Sequence, residues 1–189
     1  MSARLSAALF LTITALLLFA ACSTPQQRAR KGLDQKGFQF TEQAFFDSAG
    51  KGDVDVVKLF LDAGMNPNAA NSDGKPALVA ATLAGNEAIV DELLDGRADV
   101  NIKTKDGQTA LMGAAVNGNT RIVNMLLSRG ADTNVKDSHE FTALMYADGA
   151  NKSEVRAALV KAGAQDWHPA PVETPKSPIP LPKKKLERS

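Results

Sequence analysis

The sequence is poor in reactive side chains. Its single cysteine, Cys22, allows no disulfide within the chain and no thiolate metal site. Its two histidines, His139 and His168, have neither metal-ligand nor catalytic spacing. No glycine-rich loop of the kind that cradles phosphate is present; the glycines recur as turn and helix-stop residues. Charge of one sign is also missing, because 22 Lys+Arg against 21 Asp+Glu leave a net +1, without the basic excess of a nucleic-acid binder. No apolar run reaches the ~20 residues that a membrane-spanning helix needs. These absences point away from catalysis, cofactors, metals, nucleic acid and small-molecule substrates.

The charges that are present are unevenly placed. Residues 23–40 and 168–189 each carry a net +3, whereas residues 41–167 hold 12 basic and 18 acidic residues, a net −6. An acidic body therefore sits between two basic arms. The N-terminal arm follows an address. Arg4 opens it, Leu9 to Phe19 is an uncharged run, and Phe19-Ala20-Ala21 leads into Cys22, the order of a secretory signal. Small residues ending in cysteine resemble the lipobox of bacterial lipoproteins, with Phe19 standing where the family usually has Leu. That resemblance implies removal of residues 1–21 and lipidation of Cys22. With Ser23 rather than Asp next, it implies an outer-membrane anchor facing the periplasm. Residues 22–40 then read as a lipidated cysteine and flexible basic tether, which at full stretch reaches at most ~60 Å.

The repeat is the strongest signal in the chain. Gly74-Lys75-Pro76-Ala77-Leu78 returns 33 residues later as Gly107-Gln108-Thr109-Ala110-Leu111, and again as Glu140-Phe141-Thr142-Ala143-Leu144. The same offset joins Gly52, Gly85 and Gly118, then Leu61, Leu94, Leu127 and Val160, then Asn68, Asn101 and Asn134. Each unit reads as two helices, a small-residue one such as Ala110–Ala115 and an apolar one carrying Ile122, Val123, Met125 and Leu126. Gly130 provides the left-handed stop. The pattern resembles the ankyrin repeat, most clearly at Thr109-Ala110-Leu111-Met112 and Gly130-Ala131-Asp132-Thr133-Asn134. Proline is absent from the helix start, Val79, Met112 and Met145 replace its histidine, and Arg97 replaces a stop glycine, where a strained helix end is expected.

The expected fold is therefore all-α, an ankyrin-repeat solenoid of four helix-turn-helix units over 41–73, 74–106, 107–139 and 140–167. Phe38, Phe40, Phe45 and Phe46 are expected to cover its first end. Arg156 and Asp148, polar residues at otherwise apolar positions of the period, suit a last unit with nothing stacked beyond it. Residues 168–189 hold six of the nine prolines and end in Lys183-Lys184-Lys185, which reads as an extended disordered tail.

A stacked array presents a long concave face rather than a deep cleft, and the resemblance implies that a protein partner binds there. Carried over position by position, its contact residues are Ala70, Ser72, Asp73 and Lys75; Lys103, Lys105, Asp106 and Gln108; and Lys136, Ser138, His139 and Phe141. The helices add Leu83, Ala84, Val116 and Asn117. Among these, Phe141 is either an interface anchor or packed under its own turn, and Lys103, Lys105 and Lys136 form either a basic ridge or an ordinary wet face. Similar exported ankyrin proteins suggest an immunity protein against an envelope toxin, or an accessory to a periplasmic enzyme such as a catalase. The alternative is a structural envelope tether working through the basic proline-rich tail.

Overall fold

The structure, a computed structural model, describes residues 24–165. The expected signal segment 1–21, Cys22 and the tail 168–189 lie outside the described residues. Those described hold nine helices and no strand, only an isolated bridge between Ala70 and Pro76.

One hairpin shows how the sequence builds the rest. The Thr109 hydroxyl accepts the N–H of Met112 and caps α6 (Ala110–Asn117). Gly118, at φ 74°, reverses the chain. The Asn119 side chain then accepts the Ile122 N–H at 3.1 Å and starts α7 (Thr120–Ser128). Ile122, Val123 and Leu126 are buried on one face of α7, the spacing that turns an apolar stripe inward. The other hairpins are α2 (Glu42–Lys51) with α3 (Val54–Asp62), α4 (Ala77–Ala84) with α5 (Glu87–Asp95), and α8 (Ala143–Gly149) with α9 (Ser153–Lys161).

First helices stack in one row, α2, α4, α6 and α8, and second helices in another. Ala77, Ala81, Ala110, Ala114, Ala143 and Ala147 are almost wholly buried, and their small side chains let the first row pack closely. Leu78, Ile89, Leu93, Leu111, Ile122, Leu126 and Leu144 fill the core between units, each contributing roughly 1.5–3 kcal/mol on burial. The periodic asparagines tie unit to unit. Asn68 accepts the Asp99 N–H at 2.7 Å, Asn101 that of Asp132 at 2.8 Å, and Asn134 that of Gln165 at 2.9 Å.

The span expected to be a flexible tether is instead partly folded. Residues Pro25–Gln35 form α1, with Ala29 and Leu33 buried. Thr24 and Gln27 close a capping box at its start, and Pro25 supplies the favoured first residue. α1 packs on α3 and so extends the second-helix row. Its ending also copies that row. The Phe38 N–H bonds to the Leu33 carbonyl at 2.9 Å, as Met65 does to Phe60, Ala98 to Leu93, Ala131 to Leu126 and Ala164 to Leu159. α1 is thus a half-unit, hidden from the 33-residue period because only 27 positions separate Leu33 from Phe60.

The two ends are closed differently. Phe38, Phe40 and Phe45 surround Phe60 with ring centroids 5.6–6.4 Å away, and the Arg30 guanidinium lies 4.4 Å from the Phe40 ring centre. Phe46, expected in this cover, is only half-buried and is not part of that ring cluster. At the far end Arg156 and Asp148 form an ion pair at 2.9 Å across α9 and α8. Arg97 does stand at positive φ, 67°. That conformation crowds any side chain, and Gly64, Gly130 and Gly163 hold the same place in the other units.

Candidate functional site

Between hairpins the chain runs out into a finger whose shape is set by one short acceptor. Asn71 accepts the Lys75 N–H at 2.9 Å, Thr104 that of Gln108 at 3.1 Å, and Asp137 that of Phe141 at 3.0 Å. These three are 33 residues apart, but as Asn, Thr and Asp they share no letter, so the repeat search passes over them. Neighbouring fingers touch, because the Ser138 N–H donates to the Asp106 carbonyl at 2.8 Å. Gly107 permits that approach, since an added Cβ would stand 3.1 Å from Asp137 Cα.

Asp137 does more than its two counterparts. Its side chain is wholly buried, and besides Phe141 it accepts the His139 N–H at 2.9 Å and the Tyr146 hydroxyl at 2.6 Å. Burial works to raise its pKa, but hydrogen bonds from Tyr146, Phe141 and His139 outweigh it and hold the carboxyl below its ordinary value. The same bond to Asp137, helped by burial, raises the pKa of Tyr146. The side-chain amide of Gln108 reaches the Tyr146 hydroxyl at 3.5 Å. A polar spine, Gln108–Tyr146–Asp137, therefore fixes the third finger to the last unit.

Several residues expected at a contact surface serve the array itself. The Asn117 amide donates to the Leu83 carbonyl at 2.8 Å and closes the end of α4. Lys105 lies across Gly74 and reaches the Ser72 carbonyl at 3.4 Å. Lys136 is paired with Glu140 at 2.9 Å. The three lysines Lys103, Lys105 and Lys136 are exposed, but two of them are engaged locally, which favours the wet-face reading over a ridge. Ser72, Asp73, Asp106, Ser138 and His139 are exposed at finger tips, Lys75 and Ala70 are half-buried, and Ala84 is exposed. Their hydrogen-bonding groups face water at little cost, so they define no pocket.

Apolar surface makes the distinctive feature. Four large apolar side chains stand out among the described residues: Leu83, Val116, Phe141 and Val160, all 41–47% exposed. Three of them fall on one strip. Val116, Phe141, Met145, Tyr146, Gly149 and Ala150 line an open groove of about 420 Å³. A smaller hollow beside it is bordered by Val79, Leu83, Met112, Val116 and Tyr146. Gly113 makes room there for Leu83, whose Cδ2 would lie 3.2 Å from an added Cβ. The Phe141 and Tyr146 rings lean together, centroids 5.8 Å apart. Phe141 is thus braced by Tyr146 and still half open to water. Met145 and Tyr146 escaped sequence reading because they occupy first-helix positions that look like core.

Among the described residues no group of three or more His, Cys, Asp or Glu side chains could hold a metal, and no helix is long and apolar enough to cross a membrane. A family model described as ankyrin repeats matches the chain in three overlapping copies, at residues 11–104, 45–137 and 89–168. No curated protein matches it.

Proposed function

The chain belongs to the ankyrin-repeat family and is a protein–protein interaction module, and we propose that it is exported, held to the membrane by a lipid on Cys22, and captures its partner on the strip of Leu83, Val116, Phe141, Met145 and Tyr146. One observation carries the binding face: of the four large exposed apolar side chains among the described residues, Val116 and Phe141 line the groove and Leu83 borders the hollow that shares Val116 and Tyr146 with it. Exposed apolar groups cost free energy in water, and when they are contiguous they mark interaction sites. Aromatic residues such as Phe141 and Tyr146 are the type that anchors such interfaces.

The anchor is supported by the sequence order alone, small residues ending in a lone cysteine. Thr24 already caps α1, so one residue, Ser23, stands between that cysteine and the first described residue. A leash of two residue steps reaches about 7 Å rather than several times that, which would hold the array close to the lipid surface. A partner confined to the periplasm or the membrane face fits this placement, whether a toxin to be blocked or an enzyme to be supported.

Co-purification from envelope extracts tests the face. Phe141→Asp with Val116→Asp should lower capture of a stoichiometric partner by about thirtyfold or more, the scale of losing an anchor worth 2 kcal/mol. Unchanged capture sinks the reading. The anchor has its own test: Cys22→Ser should release the protein from membranes and abolish incorporation of labelled fatty acid.

A further inference from the structure

We infer that the outer face of α1 is a foot that stands the array on anionic lipid headgroups, with the stack rising away from the bilayer. This rests on the proposed anchor at Cys22 and adds how the array is held over the membrane and which part of it meets a partner.

The two sides of α1 differ in kind. Its inward side belongs to the stack, since Ala29 and Leu33 are buried and the helix packs on α3. Thr24, Arg28, Lys31 and Gln35 follow one another at steps of 4, 3 and 4 residues, which places them on a single stripe. A helix turns about 100° per residue, so that stripe lies opposite Ala29 and Leu33. All four residues are exposed. The stripe holds no apolar and no acidic side chain, so it offers nothing to a hydrophobic partner and matches an anionic one. Arg30 and Asp34, four residues apart, share a flank instead, and Arg30 is held over the Phe40 ring. Lys36 adds a further exposed positive charge at the helix end.

The remainder of the array carries the opposite sign. Residues 25–36 hold four basic residues against Asp34, a net +3, whereas residues 41–167 are net −6. An anionic surface therefore attracts α1 and repels what lies beyond it, a turning force that sets the stack upright. The anchor point agrees, because Cys22 precedes the Thr24 cap by two positions, at the same end as the stripe. Each basic side chain brought near an anionic surface favours contact about fivefold, so Arg28 and Lys31 together favour the upright pose roughly thirtyfold. Helices of one row pack ~8–10 Å apart, which puts α7 and α9 roughly 25–40 Å above α1. Val116 and Phe141, on the third and fourth units, are then presented to water rather than to lipid.

The test uses the mature chain purified from cells and returned to vesicles of phosphatidylglycerol and phosphatidylcholine. With the Cys22 sulfur taken up by lipid, an introduced cysteine is the one thiol open to a fluorophore. Emission from Gln35→Cys, on the stripe, should be mostly lost to nitroxide-headgroup lipid, and that from Ala157→Cys, on α9, should be largely kept. The contrast should collapse in pure phosphatidylcholine and at ~1 M salt, where the screening length is ~3 Å. It should collapse likewise in Arg28→Glu with Lys31→Glu, and persist in Arg28→Lys with Lys31→Arg.

Equal quenching at the two sites in anionic vesicles overturns the inference. So does a contrast that persists undiminished in phosphatidylcholine or in the reversed pair, since the anchor alone would then set the pose. Stronger quenching at Ala157→Cys gives the surface to the far end, next to the basic residues 168–189, and overturns it too. A contrast lost as fully in the conservative pair assigns Arg28 and Lys31 to the folding of α1 and removes the foot. The mass of the purified chain separates the two readings. Without an acyl mass on Cys22 the anchor fails and the foot with it; with that mass and equal quenching, the foot alone fails.

Discussion

The two ends of the array solve one problem by opposite means. A stack of identical units leaves a raw apolar face at each terminus. The N-terminal end adds material: a half-unit, α1, and three phenylalanines gathered around Phe60. The C-terminal end changes material already there. Arg156 stands where Val57, Val90 and Val123 are buried in other units, and pairs with Asp148. It also gives up glycine at two left-handed positions, Glu140 and Asn151, where the other units have Gly74 and Gly107, then Gly52, Gly85 and Gly118. An added lid gains burial, whereas a polar conversion only removes the apolar face. The first end should therefore be the stronger and the second the more tolerant.

Removing the hub of the first end is the severest way to break that contrast. Phe60→Ala should cost about 3–5 kcal/mol, measured by urea unfolding, whereas alanine at Val160 should cost little because that side chain is 42% exposed. A loss under 1 kcal/mol at Phe60 would mean the lid is not what holds that end.

Asp137 is the nearest equivalent hub toward the second end. Asp137→Ala strands the N–H groups of His139 and Phe141 and the Tyr146 hydroxyl, at about 1–3 kcal/mol. Its ionised form is favoured by folding, since its pKa is lowered in the structure. That contribution is complete above the unfolded carboxylate pKa and vanishes as pH falls through the lowered one. The stability gap between wild type and Asp137→Asn should hold near neutral pH and shrink in that acid range. A gap that instead widens with acid refutes the hydrogen-bond account.

Restoring the period at the second end sharpens the comparison. Arg156→Val with Asp148→Ala should change stability by no more than about 1 kcal/mol, because the pair is partly exposed. It should, however, rebuild an apolar terminus and drive end-to-end association, read by sedimentation velocity. A variant that stays monomeric would show that the ion pair is not what blocks stacking. Smallest is Arg97→Gly within the array, which relieves a side chain at positive φ and should gain about 0.5–1 kcal/mol in thermal unfolding. Destabilisation there would contradict the strain.

The repeats were legible because each unit reuses the same letters, and the αα-hairpins follow from local spacing. The half-unit α1 was not, since its shortened offset breaks the period and its polar composition resembles a linker; the Thr24–Gln27 cap and Pro25 start the helix, and Ala29 and Leu33 meeting α3 hold it in the stack. The terminal polar pair was legible as a departure from the valine series. The site was legible only in outline. Finger positions and Phe141 could be mapped, but Asn117 and Lys105 turned inward to carbonyls of the preceding unit, contacts made by residues some 33 positions apart.

By itself, then, the sequence determined the 33-residue hairpin, the stacking it demands, and the polar end that stops it, because these depend on which residue types recur at which spacing. Only the tertiary structure decided that α1 joins the stack, that Asp137 gathers three donors, and that Leu83, Val116, Phe141, Met145 and Tyr146 form one strip. Those outcomes depend on which side chains from separate units come to lie within reach, and distance across a stack is not written in spacing along a chain.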